Sequence, residues 1–548
     1  MSPPRASLVV IGEVVVAARP DGLERAEAVG IDGGRVVAVG TRSDVMDIAG
    51  PDARVVDVGR HAVVPGLHDF HLHLVGMARA RREVILDGAP DFEAVLGAVA
   101  VGVERVAGDD WLRGRGWHEP VMTGAALGRL EQLLAGRPAL LYSHDGHSAW
   151  ASPGALRLAR IDRHATDPPG GRIERDANGQ PNGLLRERAT DLVDRIAGRL
   201  AGPVLHDALA EAVADLAALG ITGAVDAGDS TPDNGVGEFA ALGDRASVLA
   251  GARGSLDGRL RLSVNMPAAA IAAAEALGLR TGEPFPGAST VRTGWAKTYV
   301  DGALGSRTAA LFEPYTCGSG PDSADTGIPR LTNEELDEIV SAGRKARIGL
   351  AVHAIGDRGA AMVLDAFERA PARAHGVPHD RMEHLQLLRP ADATRLATNE
   401  ITASVQPIHC ASDREMVDAC WAGRQQDAYP WRTIVEAGGH LAFGSDAPIE
   451  SANPWLGIFA AIHRRDPGDG SEDWHPEQAL NLHEALAGYT TGPAAAAGLD
   501  DEGHLRPGAD ADLAVLNTEL GALLRGDEGL ADVRADLTLL AGVEVHRS

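Results

Sequence analysis

The 548 residues exceed the size at which a single hydrophobic core stops growing, so a large domain accompanied by a smaller one or by insertions is expected. Against 51 Lys plus Arg stand 77 Asp plus Glu, a formal net charge of -26, which repels phosphate backbones and anionic lipid and argues against nucleic acid or a membrane surface as partner. Three cysteines, Cys317, Cys410 and Cys420, are an odd number without metal-type spacing; this argues against a disulfide framework and for a reducing compartment, the cytoplasm. Glu13 interrupts the N-terminal apolar run that could pass for a signal-peptide core, and no stretch is long and apolar enough to span a bilayer.

The first sixty residues read as β-branched runs separated by turns: "SLVVIGEVVVA", "AEAVGIDGGRVVAVG" with a Gly-Gly turn, and "RVVDVG". The last forty resume that style in "ADLAVLN" and "DLTLLAGVEVHR", which predicts one small sheet domain assembled from both termini. Between them the pattern alternates. Strand-like runs fall at "VVPGLHDFHLHL" (63–74), "ITGAVDAG" (221–228), "RLRLSVN" (259–265), "WAKTYVDG" (295–302), "RIGLAVHA" (347–354), "RMEHLQ" (381–386), "ITASVQP" (401–407) and "HLAFGSDA" (440–447). Ala/Leu/Glu-rich helical stretches separate most of them, one opening on Thr332 with Glu335 three places on, a capping box. Eight such repeats predict a (β/α)8 barrel of the TIM type. The one long interruption, residues 74 to 221, reads as an insertion on the first barrel loop.

Catalytic groups of such barrels gather at the C-terminal ends of the strands. Alternate strand residues share a face, so His71 and His73 point together while His68 has the opposite parity and is read as structural. Strand four carries Lys297 in an otherwise uncharged run, strand five ends at His353, strand six at His384 and strand eight at Asp446. Nitrogen and carboxylate donors without sulfur suit zinc, the default, and also iron, manganese or nickel. A protonated lysine beside cations is costly, whereas addition of CO2 to the amine of Lys297 would give an anionic carbamate able to bridge two metal ions. Two alternatives stand beside this: an outward-pointing Lys297, or one paired with Asp301 on its own face of the strand.

The segments "PGLHDFHLHL", "GRGWHEP", "DGHSAWAS", "DPPGGRIERDANGQPNGLLRE", "KTYVDGALGSRTAALFEPY", "VHAIGDRG", "RMEHLQLL", "SVQPIH" and "FGSDAPIES" together resemble the amidohydrolase superfamily, in the branch of N-substituted formamide deformylase and related metal-dependent hydrolases, over nearly the full length. The resemblance implies a composite β-sandwich from residues 1–64 and 501–548, a hydrolase barrel over 65–500 and an inserted domain at about 80–205. It implies that His71, His73 and Asp446 bind one metal ion, that His353 and His384 bind a second, and that carboxylated Lys297 bridges them, two zinc ions per chain. Cytosine-deaminase-like relatives carry a Glu shortly after the strand-five histidine; here Gly356 and Asp357 follow His353, which weakens a single-metal deaminase reading.

A metal-activated water attacking an amide carbonyl, with Asp446 passing the proton to the leaving nitrogen and His384 assisting, is the expected chemistry, on a small-molecule N-formyl or N-acyl amine or a cyclic amide. His144, His147, Trp117, Asp301, Arg307 and His409 are the further candidates for substrate binding, each with a purely structural alternative. Two other functions stay open: a ring deaminase using one metal with His384 as electrophile, and a non-catalytic regulator that has kept the barrel. A homodimer is the expected assembly only because closed dimers are the commonest one.

Overall fold

The computed structural model describes residues 5–86, 89–105, 110–117, 124–143, 146, 148–168, 171–197, 202–228, 241–242, 249, 253–254, 256–317 and 325–548. The chain divides into two compact units, Met1–Leu74 with Ala210–Ser548, and Val75–Leu209.

In the first unit the two ends of the chain meet. Strands Ala6–Arg19, Gly22–Asp32, Arg35–Gly40 and Ala49–Pro65 join Leu513–Glu519, Ala535–Leu540 and Val543–Arg547 in one seven-stranded sheet. The expected Gly-Gly turn links the second and third strands, with Gly33 and Gly34 at φ 54° and 81°, where a side chain would be strained. Both faces are apolar: Val10, Val14 and Val16 pack with Leu513 and Val515, while Val9 and Ile11 pack with Val45.

The same unit contains eight parallel strands in sequential order: Leu67–Leu72, Ile221–Asp226, Arg261–Pro267, Val291–Tyr299, Leu350–Ala354, Arg381–His384, Thr402–Val405 and His440–Phe443. We call them barrel strands one to eight. The end of strand eight returns to strand one through two backbone bonds of 2.7 Å, Asp446 N to His71 O and His73 N to Ala447 O. Gly444 is required at this junction, because a Cβ there would lie 2.4 Å from the His71 nitrogen. The helix Asn333–Ala346 begins as its sequence predicts: Thr332 Oγ1 accepts from Glu335 N, and the Glu335 carboxylate accepts from Thr332 N.

The second unit carries its own six-stranded sheet, including Leu112–Trp117, Ala139–Ser143 and the hairpin Gly171–Arg175 with Pro181–Glu187. Its core contains Trp117, Leu112, Leu141 and Trp150. Among the described residues no helix is long and apolar enough to cross a membrane.

One bridge forms where the odd cysteine count argues against a disulfide framework. Cys317 and Cys420 form a disulfide with their Cα atoms 4.3 Å apart, and Cys410 alone is free, and buried. Spacing could not reveal the pair, since its members lie 103 residues apart and meet only when the segment after strand four packs on the helix Ile408–Cys420. Denatured, unreduced protein is therefore expected to titrate as one thiol per chain with a thiol reagent; three would contradict the bridge.

His68, at the start of strand one, lies with Nε2 3.5 Å from Glu502 Oε2, beside Arg261 and Arg292. Burial pushes the Glu502 carboxyl up to about 7 from 4.5, so the folded chain holds a proton that the unfolded chain loses earlier. The stability linked to this group is present below about pH 4.5 and lost as pH rises through about 7. Glu502→Gln is expected to gain up to about 3 kcal/mol at pH 8 and much less at pH 5. Denaturation midpoints of both chains at the two pH values check this; an equal gain at both, or none, contradicts it.

Candidate metal centre

Three side chains from different strand ends come together: one ligand atom each of His71, His384 and Asp446 lies within 4.8 Å of the others, and all three residues are buried. The His71 and His73 Nε2 atoms stand 3.4 and 3.0 Å from Asp446 Oδ1. The His384 ring lies between those of His71 and His353, with centroids 5.0 and 4.6 Å away. His353 turns its Nε2 to the carbonyl of Gly302 at 3.0 Å. Two of the three clustered residues have backbones that side chains avoid, with φ 74° at His384 and 59° at Asp446. Each such conformation costs on the order of 1–3 kcal/mol, a strain that recurs where a strand end must aim a functional group.

The electrostatics favour neutral imidazoles at His353 and His384, whereas at His71 burial is outweighed by the Glu383 and Asp446 carboxylates, which raise it. Burial, reinforced by the His353 and His71 rings, holds His384 well below its usual range, and burial with Lys297 lowers His353 to about 3. Burial opposes ionisation of Asp446, but the histidines around it outweigh burial and keep the carboxyl well below the ordinary value. Lys297 is 4 % exposed, and burial brings its amine down to about 8 although Glu383 acts the other way. That amine lies in the field of His71, His353 and His384 and 5.1 Å from the Tyr299 ring centroid. His409 donates to Asp446 Oδ2 at 3.3 Å; burial would lower it, but Asp446 and Glu450 raise it to about 9.

Behind the cluster lies a layer that residue spacing did not reveal. His71 Nδ1 is 2.5 Å from Glu383 Oε2, and Arg381 Nε donates to Glu383 Oε1 at 2.5 Å. Arg381 Nη2 also donates to Ser404 Oγ at 3.0 Å and to the Phe70 carbonyl, and its guanidinium stacks 4.0 Å from the Phe70 ring centroid. Asp69 Oδ1 accepts from the amides of His71 and Ser445, while Ser445 Oγ donates to Asp69 Oδ2 at 2.5 Å, tying strand one to the segment after strand eight. The signal available in the sequence was Arg381 and Glu383 at i and i+2 in a strand otherwise apolar at its centre, a charge pair on one face.

Of the remaining candidates, Asp301 and Trp117 have partners of their own, and Asp301 Oδ1 lies 3.9 Å from His353 Nε2. Asp301 accepts three backbone amides, from Ala310, Ile355 and Gly356, at 2.8–3.0 Å, and so braces the segments after strands four and five. Strand four ends at Tyr299, so the chain has turned before Asp301 and no shared face pairs that carboxylate with Lys297. Arg307 is exposed with φ 56°. Trp117 is buried in the second unit and donates its indole N–H to the Leu141 carbonyl. Asp357, the acidic residue after His353, accepts at Oδ1 from the amides of Phe312 and Arg358, a structural role. His144 and His147 lie outside the described residues.

A divalent cation fits the residues present. The donors are nitrogen and oxygen, and the buried atoms His384 Nδ1 and Asp446 Oδ1 take no hydrogen bond although both belong to the cluster. The sequence comparison agrees: residues 54–546 match the model of the amidohydrolase family. The chain belongs to the amidohydrolase family. It is 32 % identical to YtcJ of Bacillus subtilis (strain 168) over 501 residues, 90 % of this chain and 91 % of that one. It is 27 % identical to the N-substituted formamide deformylase of Arthrobacter pascens over 513 residues, 90 % of each chain. Among solved structures, an uncharacterized metal-dependent hydrolase from Pyrococcus horikoshii OT3 superposes with a TM-score of 0.74 at 25 % identity, covering 95 % of this chain and 99 % of that one. As an amidohydrolase the chain is a hydrolase of mixed α/β fold built on an eight-stranded parallel barrel.

Proposed function

We propose that this amidohydrolase cleaves the C–N bond of a small amide, an N-formyl or N-acyl amine or a cyclic amide, with two zinc ions per chain. The observation that carries the reading is the buried convergence of His71, His384 and Asp446, with His73, His353 and Lys297 around them. His71, His73 and Asp446 would hold one ion and His353 and His384 the other, with a carboxylated Lys297 between them. A divalent ion bound there would lower the pKa of its water from 15.7 to about 7 and polarise a carbonyl.

The chain's own groups supply the rest. Asp446 holds the proton at its carboxylate and delivers it to the leaving nitrogen, so that an amine departs rather than an amide anion. The charged imidazole of His409 on Oδ2 keeps that carboxylate aimed and ionised between turnovers. Burial of Lys297 leaves part of its amine neutral near pH 8, the form that CO2 carboxylates. The formamide deformylase among the relatives supports an N-formyl amine as the first substrate to try.

The experiment is a panel of N-formyl and N-acyl amines and cyclic amides incubated with metal-loaded enzyme, reading released amine. Turnover of any of these classes supports the reading. Ammonia released from ring amines alone would replace it with deamination, and silence across both panels would leave a binding protein.

A further inference from the structure

A ligand set at the strand ends does not by itself orient His71. A free imidazole exchanges its proton between two nitrogens, and a histidine can ligate through Nε2 only when Nδ1 carries the hydrogen. His71 is 1 % exposed, so water does not decide between the tautomers. Glu383 does. Its Oε2 is 2.5 Å from Nδ1, on the side of the ring away from the cluster, while Nε2 faces Asp446 Oδ1 at 3.4 Å.

Glu383 is itself immobilised. Arg381 holds both carboxylate oxygens, Nε to Oε1 at 2.5 Å and Nη2 to Oε2 at 3.1 Å. The guanidinium is pinned in turn by Ser404 Oγ, the Phe70 carbonyl and the Phe70 and Trp295 rings, with centroids 4.0 and 5.1 Å from Cζ. Strands one, four, six and seven therefore converge on one Arg381–Glu383 pair. Such a carboxylate makes the imidazole a better donor and fixes its ring plane.

We propose that Glu383, anchored by Arg381, is a positioning residue that locks His71 in the tautomer with Nε2 free and thereby sets the affinity of the site for a divalent cation. The inference rests on the metal-centre reading given above.

The test uses the metal-stripped full-length chain titrated with Co2+, read by its visible absorption and by competition with a chelator. Glu383→Gln is expected to weaken Co2+ binding by about 10- to 100-fold and to alter the absorption band. Because that variant leaves Arg381 unpaired and could unfold, the double variant Arg381→Met/Glu383→Gln is measured beside it; it removes both buried charges at similar volume. A folded double variant with the same loss of affinity supports the assignment, since a pair that only held the barrel together would not change a spectrum of the bound ion. Co2+ affinity within about twofold of the parent, in a folded variant, overturns it. So does failure of both variants to fold, which would make the pair structural. If the unaltered chain binds no Co2+, the metal-centre reading itself falls, and the inference with it.

Discussion

Asp446→Asn is expected to abolish turnover while leaving the barrel folded. Nε2 of His71 and of His73 lie 3.4 and 3.0 Å from Oδ1, and Nε2 of His409 lies 3.3 Å from Oδ2, so its charge is the focus of three imidazoles. Asparagine keeps the shape, and the backbone bond from residue 446 to the His71 carbonyl is unaffected. On the proposed mechanism a ligand anion and a proton carrier are lost at once; loss of acid–base catalysis alone is worth about 10²- to 10⁴-fold. Assay of released amine, with circular dichroism to verify the fold, checks the expectation, and full activity would sink the proton role.

The second large effect is on stability. Arg381 is fully buried, and its replacement by methionine deprives Glu383 of its guanidinium partner inside the barrel, leaving only His71 and Lys297 to offset the charge. Removal of one partner of a buried pair costs about 3–5 kcal/mol, whereas removal of both is often close to neutral. Arg381→Met is therefore expected to lower the denaturation midpoint sharply, and the double variant Arg381→Met/Glu383→Gln to recover most of it. Denaturant titration of the three chains reads this; a single variant as stable as the parent would mean that the carboxylate finds another partner.

The parts of this molecule that follow from local repetition were legible in the sequence. Eight strand-like runs became eight parallel strands, the Thr332 cap and the Gly33–Gly34 turn formed as their residues dictate, and both chain ends entered one sheet. The strand-end rule also singled out the three residues that cluster, because a barrel carries the end of every parallel strand to one rim. What stayed hidden depends on distances across the barrel. Glu383 borders His384 in sequence, but its importance lies in His71, 312 residues away. The disulfide is a meeting of two distant segments. Asp301 takes backbone amides rather than pairing with Lys297 because alternation holds only while the strand lasts, and strand four ends two residues earlier. The hairpin Gly171–Arg175 with Pro181–Glu187 was hidden by its glycines, prolines and charges, which read as turn rather than strand.

The most direct test of the metal-centre account is the metal content per chain, by elemental analysis of protein purified without chelator. About two equivalents of zinc are expected, in keeping with a bridged pair that includes Lys297. A chain that carries no divalent metal, and takes up none when titrated with Zn2+, would contradict it.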